Sequence, residues 1–218
     1  IVMTGFAFGE VLSKVAPDYP DTRFVIIDTV VEAPNVQSVV FNEGEGSYLA
    51  GIAAAKASKS GTVGFIGGMD VPLIRKFACG YVQGVKATNP DAKVIQNMTG
   101  TTPAAWNDPV KGGELARAQE AQGADVIYAA AGGTGIGVLQ AAADEGILSI
   151  GVDSNQNALQ PGKVLTSAIK RVDTAVYDAF KAGTEVEVGK TNIWDVAHDG
   201  VGVAMDDNNK PLVSDEMA

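Results

Sequence analysis

A doubly wound α/β architecture is predicted by three features of this 218-residue chain. Short apolar runs rich in β-branched residues recur along it, nearly continuous rather than alternating, as strands are when both faces of a parallel sheet are covered. Helical patterns lie between these runs, joined by connections of only a few residues. Punctuation falls at the junctions: Pro72 and Pro109 sit where first helical turns begin, and Asn89-Pro90 and Gly146 sit where helices stop.

Taken in order, strands are predicted at 1–3, 24–27, 63–66, 94–97, 126–130, 147–152 and 164–169, with helices at 8–16, 46–57, 72–87, 109–122, 135–145 and 172–182. The opening run Ile1-Val2-Met3 is that of a strand already under way, which suggests a chain beginning inside a larger fold. Two sheets fit better than one. The helix at 46–57 carries the small residues Gly51, Ala53, Ala54 and Ala55, and the polar stretch 58–61 after it is a candidate crossover between lobes. The expected division is 1–58 as a partial N-terminal lobe and 59–170 as a C-terminal lobe, with a helix over 171–189 returning to the first and 190–218 returning to the second. In that last segment Ile193, Trp194 and Val196 followed by Val201-Gly202-Val203 read as a hairpin-like return, with the DDNNKP stretch at 206–211 as its turn.

Composition narrows the function. Sixteen basic against 26 acidic residues leave a net charge of −10 and no basic cluster denser than the pairs Arg75-Lys76 and Lys170-Arg171, which argues against nucleic acid or an anionic membrane surface as the main partner. No apolar run reaches the roughly 18 residues that a membrane span needs. The single Cys79 excludes an intrachain disulfide and a cysteine zinc cluster, and is expected to be a buried helical residue.

Ligands of open α/β sheets bind beyond the carboxyl ends of the strands. Residues expected there are Thr4-Gly5-Phe6, Asp28, residues 67–70, residues 100–106, Ala131-Gly132-Gly133 and Asp153-Ser154-Asn155, with Lys170 ending the last strand. The set holds no histidine and no Ser-His or Cys-His pair, so it lacks a nucleophile with its base. It suits instead the holding of a neutral polar ligand. Asp153 and Lys170 could act together on vicinal hydroxyls, the carboxylate accepting two O–H bonds and the ammonium donating to the same oxygens; a turn residue and a solvated strand-end lysine are the plainer alternatives. Phe6 and Trp106 fall in loops where a planar ligand could be sandwiched. Phe77 belongs to a stripe with Leu73, Ile74 and Tyr81 that fits a core, although its place near the helix start also allows it to face a cleft.

The segment GGTGIG over 132–137 looks at first like a dinucleotide loop. Gly133 and Gly135 would supply the first two glycines of the fingerprint, but Val138 stands at the sixth position. The tripeptide Gly189-Lys190-Thr191 is no Walker loop, because Thr184 stands where the pattern GxxxxGK[ST] needs its first glycine, and no cofactor or metal is expected. Bare glycines at a strand end would serve to let backbone and ligand approach closely.

Three long stretches carry a resemblance: FNEGEGSYLAGIAAAKASKSGTVGFIGGMDVPLIRKFACGYVQGVKATNPDAKV, GADVIYAAAGGTGIGVLQAAADEGILSIGVDSNQ and VLTSAIKRVDTAVYDAF. In this order they closely resemble the basic membrane protein family of substrate-binding lipoproteins of ABC transporters. The resemblance implies a type I periplasmic-binding-protein-like fold of two Rossmann-like lobes, with a nucleoside, a purine nucleoside first, held in an interlobe cleft and delivered to a membrane permease. It also implies an extracytoplasmic location and a lipid anchor outside this stretch. On it, Asp153 and Lys170 become the ribose-binding pair, Gly132 and Gly133 the backbone wall beside the sugar, Phe6, Phe77 and Trp106 the aromatic contacts of the base, and Asp28 a carboxylate of the N-terminal lobe. The family's opening Asp-x-x-Phe-Asn segment has no counterpart here, so Ile1-Val2-Met3 would be the third strand of its lobe. Alternatives are a receptor for a sugar or other small polar solute, and the ligand-sensing domain of a transcription regulator.

Overall fold

The computed structural model describes residues 1–214. The chain divides into a smaller unit of 1–42 with 171–201, and a larger one of 43–170 with 202–218. Residues 215–218, the end of the expected return to the second lobe, lie outside the described residues.

In the smaller unit β1 (Val2–Thr4), α1 (Gly9–Val15), β2 (Phe24–Ile27) and β3 (Val36–Phe41) come from the first segment. The larger unit then holds α2 (Glu43–Ala57), β4 (Thr62–Met69), α3 (Pro72–Thr88), β5 (Lys93–Gly100), α4 (Pro109–Glu120), β6 (Val126–Ala130), α5 (Thr134–Asp144), β7 (Leu148–Asp153) and β8 (Val164–Lys170). The chain returns through α6 (Val172–Ala182) and β9 (Lys190–Trp194) and ends on β10 (Val201–Val203). The sheets are ordered β1-β2-β3-β9 and β10-β8-β7-β6-β4-β5.

Continuous apolar strands bury both faces because successive side chains alternate. Val126, Tyr128 and Ala130 of β6 join Val63, Phe65, Ile150 and Leu165 under α2 and α3, whereas Ile127 and Ala129 meet Ala116 of α4 and Val138 and Ala141 of α5. The smaller sheet repeats the device: Val25, Ile27, Val39 and Phe41 face Ala175 and Ala179 of α6, and Phe24, Ile26 and Val36 face Leu12 and Ala16.

Four expectations are corrected. The lobe boundary lies at Asn42/Glu43, not near residue 58. Helix α2 packs so tightly on α3 that a side chain on Gly84 would overlap the Tyr48 carbonyl oxygen, so its small residues tie it to the larger unit. The 58–61 stretch is a turn within that unit, gathered by Asp125, which accepts from Ser58 Oγ (2.6 Å) and the amides of Lys59 (2.7 Å) and Ser60 (2.8 Å). The return after residue 190 is not a hairpin, because β9 pairs in parallel with β3 while β10 lies beside β8 in the other sheet. Cys79 is exposed, since two residues turn about 200° around a helix and so oppose it to the buried Phe77.

Candidate functional site

In the larger unit the carboxyl ends of β7 and β8 lie side by side, with Asp153 in register with Ile169. Asp153 is therefore next to Lys170, the last residue of β8, and Lys170 Nζ lies 3.8 Å from Asp153 Oδ1. The two side chains differ in exposure, 6% for Lys170 against 51% for Asp153. A buried ammonium requires a compensating partner, which excludes the solvated strand-end lysine. Besides the carboxylate, the Phe77 ring lies 5.6 Å from Nζ, within the range of a cation–π contact. Phe77 is itself buried in the core.

Asp153 has φ +65°, and Ser154 N donates to Val152 O across it at 2.8 Å. It is thus the centre of a strained three-residue turn. Left-handed backbone costs a non-glycine residue about 1–2 kcal/mol, with aspartate among the more tolerant. Among the described residues only Asp28, Asp153 and Asp199 are non-glycines with positive φ. Two of these three are residues that the sequence places at ligand-facing strand ends, and such strain clusters at functional sites.

Beneath the pair, burial pushes the Tyr128 phenol far above its usual range. A 3.3 Å hydrogen bond with Ser47 Oγ opposes this, and the Asp153 carboxylate adds to the rise. Tyr128 remains a neutral hydroxyl.

The glycine turn stands next along this edge. Gly132 has φ +57°, and side chains at Gly132 and Gly133 would meet the Trp106 carbonyl oxygen at 3.3 and 3.2 Å. The Trp106 ring covers Gly68, where any Cβ would overlap it. Trp106 is half-buried against the core, so part of its surface packs and part remains accessible.

Thr134, inside GGTGIG, is the residue that sequence reasoning passed over. Fully buried, its Oγ1 donates to Ala105 O (2.7 Å) and accepts from Asp108 N (2.7 Å). Thr99 Oγ1 also donates to Ala105 O (2.8 Å), so two threonines hold the turn that carries Trp106. Thr134→Val is expected to cost about 1–3 kcal/mol in denaturant unfolding through the unpaired buried groups, while Thr134→Ser stays near wild type; equal midpoints for all three would remove this clasp.

In the smaller unit Gly5 N donates to Ile27 O (3.0 Å) and Asp28 N to Val39 O (3.0 Å), which puts Phe6 and Asp28 at neighbouring strand ends. Asp28 has φ +77° and the Phe6 ring is exposed. Among the described residues no cluster of metal-ligating side chains occurs, and no helix is long and apolar enough to cross a membrane.

The family profile described as "ABC transporter substrate-binding protein PnrA-like" matches residues 1–218. The chain belongs to this PnrA-like family. One relative, the ABC transporter nucleoside-binding protein BmpA of Lactococcus lactis, is 40% identical over 193 residues, covering 80% of this chain and 54% of its own. An ABC transporter system solute-binding protein of Aeropyrum pernix superposes with a TM-score of 0.85 at 32% identity over 94% of this chain and 60% of that one. A transcriptional activator of the comK gene from Bacillus halodurans superposes at 0.82 with 28% identity, over all of this chain and 73% of that one. The PnrA-like chain thus spans between half and two thirds of these two transport-related proteins, and its fold is that of type I periplasmic solute-binding proteins.

Proposed function

We propose that this PnrA-like protein is the receptor of an ABC importer that binds a nucleoside outside the cytoplasmic membrane and hands it to a permease, without breaking a bond. The observation that carries this reading is the Asp153–Lys170 pair, a half-exposed carboxylate beside a buried ammonium. Such a pair offers acceptors and donors together to adjacent hydroxyls, as a ribose requires. In this reading Gly132 and Gly133 leave room for the sugar, the accessible part of Trp106 packs on the base, and Phe77 supports Lys170. On the smaller unit Phe6 and Asp28 are proposed as its ligand contacts. Membrane attachment is assigned to a lipid anchor, and nucleic acid is not a partner.

The test is a thermal-shift screen of the full-length protein with ribonucleosides, 2′-deoxynucleosides, free bases and pentoses, followed by calorimetry. Ribonucleosides should raise the midpoint most. A response to pentoses alone, or to none of these, would overturn the nucleoside. Trp106→Ala should weaken purine ribonucleosides by about tenfold through lost stacking, an aromatic contact worth about 1 kcal/mol or more, while changing ribose binding little. Equal losses would take Trp106 out of the base contact.

A second reading, the sensing domain of a transcription regulator, is favoured by the shared fold of the Bacillus halodurans activator. A DNA-binding segment in the full-length protein would support it, and a lipid-modified cysteine would support the receptor.

A further inference from the structure

The segment after Asp153 is held by a chain of side-chain hydrogen bonds that ends far away in sequence. Gln156 folds back, its Oε1 accepting from Val152 N (2.9 Å) and its own N–H donating to Ser167 Oγ (2.9 Å). Ser167 Oγ donates in turn to Asn157 Oδ1 (2.8 Å), and Asn157 N donates to Asn155 Oδ1 (3.0 Å). Both amide side chains then converge on one carboxylate: Asn155 Nδ2 donates to Asp206 Oδ2 at 2.6 Å and Asn157 Nδ2 to the same oxygen at 3.3 Å. Asp206 is itself fixed. Its Oδ1 accepts from Asn208 N (2.7 Å), and its N–H donates to Asn209 Oδ1 (2.8 Å). The fully buried Asn209 anchors the assembly by donating to Leu165 O (2.8 Å) and Ala204 O (2.9 Å). The hydrogen bond from Asn155 is the main cause holding the Asp206 carboxyl below its usual range, so it stays ionised.

A turn with positive φ at its centre persists only where its surroundings over-determine it. The β8 ladder reaches Asp153 itself, paired with Ile169, but residues 154–158 belong to no described strand, and these side chains hold them. We infer that Asp206 is a positioning residue of the candidate ligand site, holding Asp153 in its left-handed turn through Asn155 and Asn157 without itself touching the ligand. This inference rests on the receptor reading for its ligand. The turn itself can be tested without one.

The test uses the full-length protein, wild type, Asp206→Ala and Asp206→Asn, in two measurements. Hydrogen exchange of a peptide over 150–158 should speed up by about tenfold or more in Asp206→Ala, with β6 unchanged and Asp206→Asn in between, because an amide oxygen can replace one of the two accepting oxygens. Calorimetry with adenosine, guanosine, cytidine and uridine should show the tightest binder weakened about tenfold by Asp206→Ala, whereas its 2′,3′-dideoxy analogue, lacking the vicinal hydroxyls, keeps its affinity. Unchanged exchange overturns the inference whatever binds. Faster exchange with equal losses for both nucleosides overturns the positioning role in favour of a general structural one. If wild type binds none of the four, the nucleoside reading fails, and the exchange result still decides whether Asp206 holds the turn.

Discussion

Asp153→Ala is expected to reduce ribonucleoside affinity by at least about 100-fold in calorimetry, the equivalent of about 2.7 kcal/mol. Two losses combine. The ligand forfeits a charged acceptor, a bond worth about 1.5–3 kcal/mol, and Lys170 stays buried without the carboxylate 3.8 Å away that balances it. Asp153→Asn should lose less, keeping the shape and one acceptor. Alanine tolerates the positive φ of this position less well than aspartate, and the buried Lys170 loses a partner, so the melting temperature should fall as well and affinity is compared at a temperature where the variant is folded. Affinity retained within a few-fold would show that the ribose assignment is wrong.

Gly137→Ala is expected to have the largest effect on stability. Helix α5 crosses α4 so closely that a methyl group at Gly137 would overlap the Pro109 carbonyl oxygen. Backbone cannot swing aside as a flexible side chain can, so the helices must separate. Overpacking of this kind costs about 3 kcal/mol, or ~6–12 °C in melting temperature for a chain of this size. Gly113→Ala on the same helix pair is the control. Its added carbon would make ordinary contacts at 3.4 Å or more, and alanine is the better helix former, so that variant should melt at or above wild type. Two equal midpoints would contradict the close packing.

These two residues also show what the sequence discloses and what it hides. The position of Asp153 and Lys170 at neighbouring strand ends was legible because the apolar runs that form β7 and β8 declare where they end. The Asp153 turn was not, since aspartate tolerates positive φ in many settings. GGTGIG drew attention as a possible phosphate loop. In the structure Gly137 serves helix packing, Gly132 the turn, and Thr134 the clasp on Trp106's loop. Strand β3 went unseen because no helix separates it from β2, and alternation with helices was the guide. Strand β9 was read only as one arm of a hairpin because its first three residues, Lys190, Thr191 and Asn192, are polar and its partner β3 is far away in sequence. The Asn155–Asp206 contact joins residues distant in sequence, and no local pattern announces it.

The interleaving of the two units has a consequence for synthesis. Residues 43–170 supply five of the six strands of the larger sheet in one uninterrupted stretch, so that sheet can begin to form as soon as the stretch leaves the ribosome. The smaller sheet cannot. Gln37 must wait for Lys190 before β3 gains its second neighbour, and α6 arrives equally late to cover Val25 and Ile27. Until residues 172–194 are made, therefore, β3 keeps an open edge and Val25 and Ile27 a bare apolar face. Such surfaces are the aggregation-prone ones of a nascent chain, so residues 1–42 are where a chaperone has most reason to hold this protein.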